Sequence, residues 1–141
     1  MNILKQLRES RGLTHAELAK VAGISVEWYY DLEAEDDDLD CNVSVGSVAR
    51  IANKLGTKPS VLYGGASGRA VSTDHLASLI REYIEQSGKS LEEIENQIGY
   101  GVATALANPD HFRNFNADGL RAVCAAVGVN WFDVLDHLVE Q

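Results

Sequence analysis

Apolar residues return at helical spacing along nearly the whole chain, and Gly, Ser, Thr or Pro stand at the breaks. Leu4 and Leu7 place an apolar face on residues 2–11, with Lys5, Arg8 and Arg11 expected on the outer side. Leu18, Val21, Ile24, Tyr29 and Leu32 then fit two short helices sharing one core. Thr14 and Glu17 have the spacing of a capping box, Gly23 supplies a left-handed helix end, and Ser25 is a good N-cap for the next helix. Three adjacent rings, Trp28, Tyr29 and Tyr30, cannot all face one core, so one or two must point outward. The acidic run Glu33 to Asp40 reads as a solvated loop at the frayed end of the third helix. Val45, Val48, Ile51, Ala52 and Leu55 restore a helical face over 44–55, closed by Gly56, and Pro59 opens a last short helix ending near Tyr63.

The second half repeats this logic. Gly64 to Ser72 has the composition of a flexible connector, after which Leu76, Leu79, Ile80, Tyr83 and Ile84 resume a helical pattern. Ser90 and Glu93 repeat the capping box. Gly12 and Gly23 map to Gly88 and Gly99 at an offset of 76, whereas Gly56 maps to Gly128 at an offset of 72. The four-residue loss is expected in the region of the acidic loop. The counterpart of the third helix, Gly101 to Asn108, is small and apolar almost all round and is expected to pack against something. The chain therefore reads as two degenerate copies of one five-helix unit, residues 1–63 and 73–141, joined by a 64–72 linker.

Leu7-Arg8-Glu9-Ser10-Arg11-Gly12-Leu13-Thr14, Glu17-Leu18-Ala19, Gly23-Ile24-Ser25 and Val48-Ala49-Arg50-Ile51-Ala52-Asn53-Lys54-Leu55-Gly56 carry a family resemblance. The stretch from Leu4 to about Leu62 resembles the helix-turn-helix of the XRE family, the Cro and phage-repressor type of bacterial regulators. A degenerate second copy spans about 73–138. The resemblance implies an all-α fold of two lambda-repressor-like five-helix units in tandem, and it implies DNA binding through the third helix. Family members carry polar amides, Ser, Thr, Arg or Lys at the exposed positions of helices two and three. Here those positions hold His15, then Val26, Glu27, Trp28, Tyr30 and Asp31.

Charge sharpens that departure. Twelve Lys and Arg oppose 21 Asp and Glu, a formal charge of −9, whereas DNA affinity arises largely from neutralising phosphates. Two readings follow. In the first, the protein is non-catalytic and binds a basic protein, such as a nucleic-acid-acting toxin, in the manner of an immunity protein or antitoxin. It would use Glu27, Trp28, Tyr30, Asp31, Glu35, Asp36, Asp37 and Asp38, rings with an anionic rim. In the second, it is a DNA-binding transcriptional regulator using Arg8, Arg11, His15, Lys20 and Tyr30, with the second unit, or a homodimer, completing the assembly.

Other function classes have little support in the residues. His15, His75, His111 and His137 are scattered, and Cys41 and Cys124 lack metal-ligand spacing, so no catalytic centre, metal site or cofactor is expected. No apolar run approaches the roughly 20 residues of a membrane span, and no signal-peptide pattern opens the chain. A cytoplasmic location without membrane contact is expected.

Overall fold

The computed structural model describes residues 3–99 and 101–138, and of Ile98 the backbone only. Asn2, expected in the first helix, and residues 139–141 of the second unit lie outside the described residues. The fold is all-helical. In the first half it comprises α1 (Ile3–Ser10), α2 (His15–Ala22), α3 (Val26–Ala34), α4 (Asp36–Cys41), α5 (Val45–Leu55) and a 3₁₀ helix, Pro59–Tyr63. In the second half it comprises α6 (Thr73–Ser87), α7 (Leu91–Ile98), α8 (Val102–Ala107), a second 3₁₀ helix at Pro109–Asn114, α9 (Ala117–Ala126) and α10 (Trp131–His137). Among the described residues, no helix is long and apolar enough to cross a membrane.

Two apolar cores organise these helices. The first gathers Leu4, Leu18, Ala22, Tyr29, Leu32, Val48, Ile51, Leu55 and Leu62. The second gathers Leu76, Ile80, Ile94, Val102, Phe112, Leu120, Val123, Trp131 and Leu135, and takes in Val45 and Ala49 from α5. Helix α5 thus serves both cores. Val48, Ile51, Ala52 and Leu55 follow the i, i+3, i+4, i+7 stripe towards the first, and Val45 and Ala49, four apart, face the second. At about 1.5–3 kcal/mol for each large aliphatic side chain buried, this shared helix couples the two halves.

Two expectations are corrected. The acidic run is not a solvated loop: residues 36–41 form α4, with Asp36, Asp37 and Asp38 in its first turn. Carboxylates there meet the positive end of the helix dipole, and buried Leu39 pins the turn to the first core. The Tyr63 hydroxyl donates to the Leu39 carbonyl at 2.9 Å.

The Gly-rich connector is also tied down. The backbone amides of Gly68 and Arg69 donate to the buried Asp133 carboxylate at 2.7 and 3.2 Å, and the Val71 amide donates to the Asp133 carbonyl at 3.1 Å. A Cβ on Gly65 would lie 2.2 Å from the Phe132 ring, so this stretch needs glycine for close approach rather than for flexibility. The first turns of α10 thus hold the connector by contacts that its composition does not reveal.

The helix starts of the two halves keep a near-constant offset, and the change in that offset falls elsewhere than expected. The N-caps Ser25 and Gly101 stand 76 apart, the starts of α4 and the second 3₁₀ helix at Asp36 and Pro109 stand 73 apart, and the N-caps Ser44 and Asn116 stand 72 apart. Most of the loss therefore lies in α8, which is shorter than α3 at its C-terminal end, and not in the acidic segment.

Candidate interaction face of the first unit

Helices α2 and α3 are built by the local signals in their sequence. The Glu17 amide donates to the Thr14 hydroxyl at 3.1 Å while the Glu17 carboxylate accepts from the Thr14 amide at 3.2 Å, completing the capping box. Gly23 adopts φ 74°, where an L side chain is disfavoured, and lets the chain turn at once into α3. The Ser25 hydroxyl then accepts from the Trp28 amide at 3.1 Å.

Longer-range bonds brace the pair. Ser47 Oγ and Arg50 Nη2 donate to the Ala22 carbonyl at 2.8 and 3.2 Å, and Arg50 Nε donates to the Val21 carbonyl at 3.1 Å. These satisfy the carbonyls left open at the end of α2 and set a cation against the negative end of its dipole. From the other side, Arg8 of α1 grips Glu33 of α3 through Nε to Oε2 at 2.8 Å and Nη2 to Oε1 at 3.2 Å. This bidentate pair is buried, and its hydrogen bonding and charge raise the Arg8 pKa above its ordinary value. Burial, with the Glu33 charge beside it, likewise pushes the Tyr29 phenol well up. The Tyr29 hydroxyl is buried beside the Glu33 carboxylate.

With Tyr29, Leu32 and Glu33 turned inward, Glu27, Tyr30, Asp31 and Ala34 form the exposed stripe of α3. Trp28, 41% exposed, borders the stripe, and Tyr30 on it is 51% exposed. Tyr30 stacks on His15 of α2 with ring centroids 4.2 Å apart at 37°, and His15 Nε2 lies 3.7 Å from Glu33 Oε1. Lys5, Arg8, His15, Tyr30, Glu33 and Ala34 line an open depression of about 370 Å³ beside the stripe.

The residues expected to bind therefore divide by role. Glu27, Trp28, Tyr30 and Asp31 are exposed on α3, and Glu35 joins α3 to α4. Asp36 and Asp37 are exposed at the start of α4, whereas half-buried Asp38 accepts from Asn42 Nδ2 at 2.7 Å. In the DNA set, His15 and Tyr30 meet, and Lys20 stands exposed on α2. Arg8 does not face outward as expected: it is buried against Glu33. Arg11 is exposed but anchored, donating to the Leu55 carbonyl and Ser10 Oγ, each at 2.9 Å. Lys5, absent from both sets, lines the depression and carries the cation that Arg8 does not present. The inward register of Tyr29 and Leu32 places Glu33 on the buried arc, which is the signal in the sequence that a helical wheel would have exposed.

The counterpart face on α8 is bare. Thr104 and Ala107 are its exposed residues, with Ala103 half-buried beside them. Among the described residues, no group of three or more His, Cys, Asp or Glu could hold a metal ion. Residues 3–62 match a family of helix-turn-helix domains. Neither the curated proteins nor the solved structures return a match to the chain.

Proposed function

We propose that this chain is a non-catalytic regulator that binds duplex DNA through the α2–α3 face of its first unit, in the cytoplasm. The observation that carries this reading is a fully braced helix-turn-helix whose α3 leaves its outer stripe uncovered, within the stretch that matches the helix-turn-helix domain family. Exposed Lys5 and Lys20 supply phosphate contacts, and the stacked His15–Tyr30 pair sets a rigid aromatic surface on the face. Glu27 is an acceptor suited to the cytosine amino group. Arg8, Arg11 and Arg50 hold the scaffold.

Glu27 and Asp31 oppose phosphate, so affinity rests on few cations: binding is weak, and its salt slope is shallow in proportion to the few phosphates contacted. Fluorescence anisotropy of a random-sequence duplex pool, titrated at low salt, tests this. Binding tighter than the roughly 10⁻⁴ to 10⁻⁶ M typical of non-specific complexes at physiological salt is expected, because lowering the salt strengthens phosphate contacts. Lys20→Glu should weaken it and lower the salt slope by about one phosphate contact. No binding at tens of micromolar sinks the reading.

A second reading has its own observation. Glu27 and Asp31 on the stripe, followed by Glu35 and the Asp36, Asp37 and Asp38 turn of α4, form an acidic rim around exposed Trp28 and Tyr30. That surface complements a basic protein, such as the cationic cleft of a nucleic-acid-acting toxin, as an immunity protein or antitoxin would. Reversing Asp36, Asp37 and Asp38 to Lys should slow association with such a cationic nuclease and flatten its salt dependence. An unchanged on-rate would count against it.

A further inference from the structure

We infer that the second unit occupies the place of a second subunit, making the chain an internal dimer with a single equipped face. The mark of a two-fold contact is reciprocity: element a of one copy meets element b of the other, and b meets a. That pattern is present within this one chain. α4 packs on α9, and its counterpart in the second copy, the 3₁₀ helix Pro109–Asn114, packs on α5, the counterpart of α9. The remaining 3₁₀ helix, Pro59–Tyr63, packs on its own counterpart, α10.

The contact is centred on equivalent residues. Ser44 and Asn116, the N-caps of α5 and α9, face each other across an isolated antiparallel bridge, and the Val45 amide donates to the Phe115 carbonyl at 2.7 Å. Ser44 and Asn116 stand 72 apart, the repeat offset read from Gly56 and Gly128. A bridge between a residue and its own repeat equivalent is what a pseudo-two-fold axis requires, and a head-to-tail stacking of repeats would not produce it. The self-complementary patch is therefore consumed inside the chain.

The consequence for binding rests on the DNA reading above. A symmetric dimer offers two reading helices and selects an inverted repeat with half-sites about 34–36 Å apart. Here α3 carries Glu27, Trp28, Tyr30 and Asp31, whereas α8 exposes Thr104 and Ala107. The molecule engages one asymmetric half-site, one chain per duplex.

Three measurements on the full chain test this. Sedimentation of the wild-type protein from about 1 to 100 µM should show a single-chain mass near 15.3 kDa throughout. A two-chain mass overturns the inference. Oxidised Ser44→Cys/Asn116→Cys, made with Cys41→Ser, should cross-link within one chain and migrate as a monomer without reductant. A cross-link between chains would show that the reciprocal contact joins separate molecules. Selection from a random duplex pool should yield one unrepeated block of preferred bases at one chain per duplex, and an inverted repeat holding two chains overturns the single-face assignment. If the pool yields no binding at low salt, the DNA reading fails, and mass and cross-link alone decide the internal dimer.

Discussion

Arg8 and Glu33 show how a charge that looks available in a sequence is committed in the fold. The two residues lie 25 apart in the chain, and their bidentate bond joins α1 to α3 in a buried setting. Glu33→Ala leaves the guanidinium buried without its partner and should cost about 3–5 kcal/mol, read from urea unfolding. The paired replacement Arg8→Met/Glu33→Leu removes both charges and should recover most of that loss. If the single and double variants are equally destabilised, the pair is not what couples the helices. The same residue-level account explains why Arg8 leaves the set of phosphate contacts. Periodicity identified Leu4 and Leu7 as a face, but on so short a helix it did not distinguish an outward Arg from one whose head is buried against a carboxylate on another helix.

At the scale of elements, every helix start named from capping chemistry carries its cap. The Ser25 hydroxyl accepts from the Trp28 amide at 3.1 Å, and Ser90 and Glu93 close the second capping box. The acidic segment reads as a loop because Asp is a poor helix former in a helix interior, whereas in a first turn its charge favours the helix. Helix α5 gives the sharpest element-level prediction. A Cβ at Gly46 would lie 3.0 Å from the Arg113 carbonyl oxygen, at the seam between the units. Gly46→Val should therefore destabilise the protein by about 1–3 kcal/mol, although most residues are better helix formers than Gly. The check is chemical denaturation: a neutral or stabilising result would mean that the seam is looser than the structure shows.

For the whole molecule, the question is whether the two halves behave as two domains or one. α5 contributes to both cores, and the carboxylate of Asp136 accepts from the Ser60 amide and hydroxyl, each at 2.7 Å, across 76 residues of sequence. A single cooperative transition is expected in calorimetry, with a heat-capacity increment of about 2 kcal/mol/K for 141 residues. Two resolved transitions would show that the units melt independently. The sequence alone determined the all-helical class, the helix-turn-helix, its turn glycine and its caps. Those features depend on bonds and periodicities that close within about one helical turn. Only the tertiary structure decided which charges are spent, that the connector is held by α10, and which elements of the two halves meet. These outcomes depend on partners from 25 to 76 residues away, and local spacing carries no information about which distant surface will desolvate a side chain.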